Sequence, residues 1–240
     1  MKVLFTGGGT AGHINPALAA AGYLLQKEPD AQILYVGNKG GMEERLVPKA
    51  GYEIKTVHIS GFQRKLTPKN LVRNAQTVVR VFTATAEAKK IIKEFGPDVC
   101  VGTGGYVSGP VIREAAKLGV PCVIHESNAY PGVTTRMLAK SVKTVMLAVP
   151  DAKKYFDDSV NCVVTGNPVR GEVLEAEREA SRKELSLDDR PVVLSFGGSL
   201  GASALNRAAA YMLAQSAKLG EYQHIHGYGS HDEKVLDGVR

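Results

Sequence analysis

The sequence predicts an α/β protein built on doubly wound parallel sheet, and three observations carry that expectation. Short apolar runs alternate with helix-period stretches along the whole chain. Punctuation agrees, with Gly51, Gly96 and Gly119 following predicted helices and Pro68 and Pro110 opening others. The first apolar run leads straight into Gly7-Gly8-Gly9-Thr10-Ala11-Gly12-His13, a glycine-rich strand-to-helix turn.

Lys2–Thr6 is the first strand, a short apolar run closed by those glycines. Asn15 suits an N-cap and Pro16 a first helical residue, so a helix is expected over Pro16–Lys27. Apolar runs at Gln32–Val36 and Glu53–Val57 read as strands around a helix at Met42–Ala50. A long helix follows over Pro68–Phe95, with Leu71, Ala75, Val78 and Phe82 forming one apolar stripe. Strands at Val99–Gly102, Cys122–His125, Thr144–Leu147 and Cys162–Val164 enclose helices at Pro110–Leu118 and Val133–Ala139.

Near Asn167-Pro168-Val169-Arg170 the chain changes character, and a highly charged helix is expected over Glu172–Leu185. Beyond it the opening theme returns: strand Val192–Phe196, glycine turn Gly197–Ala202 and helix Ala202–Leu219. Strand Tyr222–His226 and a short helix at Asp232–Val239 finish the chain. The expected domains are 1–166 and 167–240. The second has fewer strands than a doubly wound domain normally needs, so it reads as incomplete and the chain as truncated.

Composition narrows the class. The 240 residues have the apolar and charged content of a soluble globular protein. A net charge of +6 hints weakly at an anionic partner: phosphates, nucleic acid or a membrane surface. Cys100, Cys122 and Cys162 sit in apolar runs without metal-ligand spacing, and read as buried thiols of a reducing compartment. No apolar run has the length of a membrane span.

In a parallel sheet, ligands bind beyond the carboxyl ends of the strands. Five loops are expected there: Gly7–His13, Thr103–Gly109, Glu126–Gly132, Thr165–Arg170 and Gly197–Ala202. Together they outline a cleft for phosphorylated ligands. The spacing Gly7, Gly9, Gly12 also satisfies a dinucleotide fingerprint. Val36, however, is followed by Gly37-Asn38-Lys39 rather than the acid that holds a ribose. Lys39 would suit a 2′-phosphate, which keeps an NADP-dependent oxidoreductase open. No glycine-lysine-serine/threonine run follows these glycines, so a nucleoside triphosphatase loop is absent.

The motifs at 7–19, 102–110 (Gly-Thr-Gly-Gly-Tyr-Val-Ser-Gly-Pro), 125–128 (His-Glu-Ser-Asn), 165–170 and 197–202 occur in one order. In that order they resemble the MurG family, inverting glycosyltransferases that move N-acetylglucosamine from UDP-N-acetylglucosamine to lipid I, giving lipid II. The resemblance implies a GT-B architecture of two Rossmann-like domains and no cofactor beyond the donor substrate. It implies an acceptor carried on diphospho-undecaprenol, work at the cytoplasmic face of the bacterial membrane, and no nucleic-acid partner. The family continues well beyond Arg240, which leaves two further expectations: poor or no turnover by residues 1–240 alone, or a non-catalytic fragment that binds acceptor or membrane.

Carried over residue by residue, the resemblance puts Thr10, Ala11, Gly12 and Asn128 at the sugar-nucleotide or diphosphate site, and Arg170 and Ser199 at donor contacts. His13 and Glu126 fall at the catalytic positions, where inverting transfer needs a base for the acceptor hydroxyl proton. Plainer roles stand beside these. His13 could hydrogen-bond backbone, Glu126 could orient His13 or pair with a lysine, and Asn128 could be a turn residue. Arg170 could be a hinge charge, Ser199 an N-cap, and Tyr106 a packing residue or a ligand contact. No metal site is expected. Arg64, Lys65, Lys69, Arg73, Val79 and Phe82 read either as a solvated basic end of a core helix or as a docking face for anionic lipid.

Overall fold

The computed structural model of the chain describes residues 1–61, 67–198 and 200–229; along 68–76, 78 and 79 it describes the backbone. Two compact units form, Met1–Leu174 and Glu175–Arg240. The division falls after Leu174 rather than after Gly166.

The first unit runs β1 (Lys2–Thr6), α1 (Ala11–Lys27), β2 (Gln32–Asn38), α2 (Glu43–Lys49), β3 (Glu53–Val57), α3 (Pro68–Phe95), β4 (Val99–Gly102) and α4 (Ser108–Lys117). It continues through β5 (Cys122–Glu126), α5 (Val133–Leu138), β6 (Thr144–Leu147), β7 (Cys162–Val164) and α6 (Gly171–Leu174). Seven parallel strands lie in the order β3-β2-β1-β4-β5-β6-β7. The winding direction reverses between β1 and β4, where loops part and leave the binding crevice of such sheets.

Alternation along β1 sorts the core into two layers. Leu4 packs with Leu34, Val36, Cys100 and Ile124 beneath Ala84, Ala88 and Ile92 of α3 and Val111, Ile112 and Ala115 of α4. Val3 and Phe5 pack on the other face with Tyr35 and with Ile14, Ala17, Leu18 and Ala21 of α1. Both faces are covered, which is why these strands read as nearly continuous apolar runs.

The second unit holds α7 (Arg178–Glu184), β8 (Val192–Phe196), α8 (Ser203–Leu219) and β9 (Gln223–Gly227), with β8 and β9 parallel. Polar groups thread the layer between this small sheet and α8. Ser195 Oγ lies 2.8 Å from His224 Nε2 and 2.8 Å from His226 Nδ1, and His226 Nε2 lies 3.0 Å from Asn206 Oδ1. Asn206 Nδ2 donates to the Tyr228 carbonyl at 2.8 Å, which leaves Oδ1 to accept from His226.

Several expectations are corrected. Helix α1 begins at Ala11, with Thr10 extended as its N-cap, so Asn15 and Pro16 lie inside it. Pro16 removes a hydrogen bond to the Gly12 carbonyl, and the buried stripe Ile14, Pro16, Ala17, Leu18 and Ala21 outweighs that loss. Helix α4 starts at Ser108, two residues before Pro110, which still falls in the first turn where no N–H partner is needed. The charged stretch forms two short pieces, α6 and α7, because neither buries a residue against the fold. Cys162, on edge strand β7, is only half-buried, whereas Cys100 and Cys122 are buried side by side on β4 and β5. The helix expected over Asp232–Val239 lies outside the described residues.

Candidate functional site

Two glycine loops interlock at the reversal of strand order. The Thr103 N–H donates to the Thr6 carbonyl at 2.9 Å, and the Gly8 N–H to the Gly104 carbonyl at 3.3 Å. The Thr103 hydroxyl donates to the His13 carbonyl at 2.6 Å, tying the second loop to the first turn of α1. Ser108 Oγ donates to the Gly104 carbonyl at 2.5 Å, and the buried Tyr35 hydroxyl to the Gly7 carbonyl at 2.9 Å. Burial and then the nearby Glu43 carboxylate push the Tyr35 phenol well above its usual range, so it stays a donor. The glycines are there because the loops touch: a Cβ on Gly7 would lie 2.2 Å from Thr103 Oγ1.

His13 stands in the first turn of α1, half-buried. Its Nδ1 is 3.0 Å from the Gly8 carbonyl and 3.2 Å from Thr10 Oγ1. A carbonyl oxygen only accepts, so Nδ1 carries the hydrogen, and in the neutral ring Nε2 keeps its lone pair. That edge of the ring lies against Gly104, where a Cβ would come within 2.7 Å of Cδ2 and 3.1 Å of Nε2. The orienting partner of the imidazole is thus backbone of its own loop. Thr10 and Gly12 are exposed beside it, and the first amides of a helix have no acceptor within it.

Tyr106, half-buried, accepts from Asn38 Nδ2 at 3.4 Å. Its ring covers Gly9, whose Cβ position would be 3.2 Å away. Burial, then Glu43, raises its phenol pKa.

Glu126 ends β5 almost wholly buried. Oε1 accepts from the Asn128 N–H (3.0 Å) and Nδ2 (2.7 Å), and Oε2 accepts from the Gly132 N–H (2.8 Å). Burial alone would raise its pKa, but hydrogen bonds from Thr135, Asn128 and Gly132 outweigh it and hold the carboxyl below its usual range. Both oxygens are therefore engaged in folding the loop from Asn128 to Gly132. Asn128 itself is exposed. Next to Glu126 in sequence, His125 is buried with Nε2 3.0 Å from the Gly166 carbonyl.

Arg170 is exposed after β7 and pairs with Glu172 at 3.6 Å. Ser199, Arg64 and Lys65 lie outside the described residues. Lys69, Arg73 and Val79 fall on α3, and Phe82 on the same helix is 73% exposed. Among the described residues no group of three or more histidine, cysteine or acidic side chains gathers to hold a metal. Sequence reasoning missed Glu43 and Asn38, and placed Thr103 only as the first residue of an expected ligand loop. The available signal was a further glycine cluster, Gly37, Gly40 and Gly41, with an acid two residues on.

Residues 3–147 match the model of the glycosyltransferase family 28 N-terminal domain. A protein of Acetivibrio thermocellus named UDP-N-acetylglucosamine--N-acetylmuramyl-(pentapeptide) pyrophosphoryl-undecaprenol N-acetylglucosamine transferase is 47% identical over 100% of this chain and 63% of its own length. A protein of the same name from Lactococcus lactis subsp. cremoris is 46% identical over 91% of this chain and 58% of its own. The chain thus spans less than two thirds of these relatives. The crystal structure of Acinetobacter baumannii MurG superposes with a TM-score of 0.64 at 30% identity, covering 99% of this chain and 61% of that one. The CalG4 calicheamicin glycosyltransferase shares the fold at a TM-score of 0.60 and 17% identity, over 98% of this chain and 68% of that one. These matches do not favour the oxidoreductase reading, and the architecture is the Rossmann-like one of GT-B enzymes. The chain belongs to glycosyltransferase family 28.

Proposed function

We propose that the chain serves transfer of N-acetylglucosamine from UDP-N-acetylglucosamine to the muramoyl-pentapeptide of diphospho-undecaprenol, lipid I, giving lipid II. The observation that carries this reading is one oriented imidazole at an open helix N-terminus. His13 Nε2 keeps a lone pair while Nδ1 is fixed 3.0 Å from the Gly8 carbonyl. The amides at the start of α1 and its partial positive charge suit a diphosphate. In this reading the acceptor hydroxyl attacks the anomeric carbon and its proton passes to His13 Nε2. The bond from that carbon to UDP breaks, and the electron pair leaves on the diphosphate. Arg170, exposed after β7, is the donor contact of the first unit, and Ser199, given a donor role by the resemblance, lies outside the described residues. Thr10, Ala11 and Gly12 face a diphosphate, and Tyr106 covers the loop that carries them. Glu126 acts as a positioning group for Asn128 rather than as a base, since both its oxygens already accept hydrogen bonds.

Titration of the 240-residue chain with a short-chain lipid I analogue, followed by amide NMR, tests the acceptor site. The expected result is saturable shifts centred on Thr10–His13. Shifts spread over the surface, or none, would count against it.

The same reading places the protein peripherally on the cytoplasmic face of the membrane. Among the described residues no helix is long and apolar enough to cross a bilayer. Support comes from Phe82, and from Tyr130, Val133 and Met137, which are likewise exposed. Arg136 lies 5.2 Å from the Tyr130 ring and Lys154 5.3 Å from the Tyr155 ring. Exposed apolar side chains, with a cation beside Tyr130 and another beside Tyr155, fit an anionic lipid surface. Pelleting with anionic vesicles is expected, with little on neutral ones and less for Phe82→Asp. Equal binding to both vesicle types would contradict the docking reading.

A further inference from the structure

Glu43, at the start of α2, is completely buried, and the mechanism above gives it no part. Its side chain fills a slot walled by three glycines. A Cβ would lie 2.3 Å from Oε1 at Gly8, 2.4 Å from Cγ at Gly37 and 2.5 Å from Cδ at Gly41. Oε1 accepts the Asn38 N–H at 2.8 Å. Oε2 has no hydrogen-bond partner among the described residues. A buried carboxylate oxygen left in that state costs stability, so the group is a poor choice for packing alone.

The contacts of Glu43 lead to both glycine loops. It touches the first directly through Gly8. Asn38, whose N–H it holds, accepts the Ile59 N–H on Oδ1 at 3.0 Å and donates through Nδ2 to the Tyr106 hydroxyl at 3.4 Å. The Tyr106 ring then lies over Gly9 and Gly61, whose Cβ positions would be 3.2 and 3.5 Å away. One side chain therefore braces the first loop from below and, through Asn38 and Tyr106, fixes the second against it.

We propose that Glu43 is the positioning residue of this site. It sets the two glycine loops so that the amides after Gly9 and the His13 imidazole meet an anionic diphosphate together. The diphosphate part rests on the function proposed above; the loop geometry does not.

Three variants of the 240-residue chain test it. Glu43→Gln keeps the shape and the acceptor for the Asn38 N–H, Glu43→Ala empties the slot, and Gly41→Ala pushes a methyl onto the carboxylate from outside. The readouts are melting temperature, exchange of the Gly8 amide (bonded to Gly104) and affinity for inorganic pyrophosphate. Glu43→Ala and Gly41→Ala are expected to speed Gly8 exchange and weaken pyrophosphate by about tenfold or more each, with Glu43→Gln within about threefold of the unchanged chain. Adding Glu43→Ala to Gly41→Ala should add little, because both act on one contact. Loop exchange tracking melting temperature alone, or Glu43→Gln as damaging as Glu43→Ala, would overturn the proposal. If Gly41→Ala alone is soluble and leaves Gly8 exchange unchanged, the proposal is likewise overturned. Should the unchanged chain bind no pyrophosphate while exchange responds as expected, the diphosphate reading falls and the loop-positioning role stands.

Discussion

On the function proposed here, replacing His13 with glutamine is expected to slow N-acetylglucosamine transfer by about 10²- to 10⁴-fold, the range for loss of a positioned base. Affinity for the lipid I diphosphate should hardly change. Glutamine leaves the Gly8 N–H bonded to the Gly104 carbonyl, so the loop keeps its backbone. What it lacks is a lone pair basic enough to accept the hydroxyl proton. The loss therefore falls on kcat and spares KM, the pattern of an interaction made only in the transition state. Steady-state kinetics against the acceptor measure this split in a chain that has the full length of its relatives. An equal loss in acceptor affinity would mean that His13 binds substrate rather than moving its proton.

Substituting Gly105 with alanine disrupts the site through backbone alone. Gly105 has φ 81°, and a Cβ there would lie 2.2 Å from the Gly8 oxygen, 3.0 Å from its carbon and 3.1 Å from its nitrogen. All three atoms are main chain of the opposite loop, so no side chain can swing aside. Left-handed strain and overpacking together are expected to cost about 3 kcal/mol or more. Gly119→Ala is the matched control: φ is 80°, and nothing lies within 4 Å of its Cβ position. It should cost only the left-handed strain, about 1–2 kcal/mol. Thermal melts of the two variants compare them, with Gly105→Ala melting lower and its Gly8 amide losing protection. Equal melting temperatures would show that the loops are not interlocked as described.

The first strand was legible because burial on both faces of the sheet leaves a near-continuous apolar run, as in β1. β1, β3, β4, β6, β7 and β8 have the boundaries expected. The glycine loops were legible too, since few other residue types tolerate such close backbone approach. Misreadings came where one residue type serves two ends. Pro16 looked like a first helical residue, yet the buried face of α1 carries the helix through it. Glu172–Leu185 had helical composition, but composition without a buried face left two short pieces. Glu126 could not be understood from its neighbours in sequence, because its role depends on Gly132 folding back onto Oε2. Glu43 was hidden for the same reason: its slot is built from Gly8 of the first loop, Gly37 of β2 and Gly41 ahead of α2.

On the proposed function, His13 offers a lone pair on Nε2 while Nδ1 keeps its hydrogen against the Gly8 carbonyl. Nitrogen-15 shifts of the His13 ring test it most directly, recorded well above the ordinary histidine pKa of about 6.5, with and without a lipid I analogue. The expected result is a protonated Nδ1, held by the Gly8 carbonyl, and a lone-pair Nε2 whose signal moves as the analogue binds. A ring carrying its hydrogen on Nε2, or an Nε2 signal indifferent to the analogue, would contradict it.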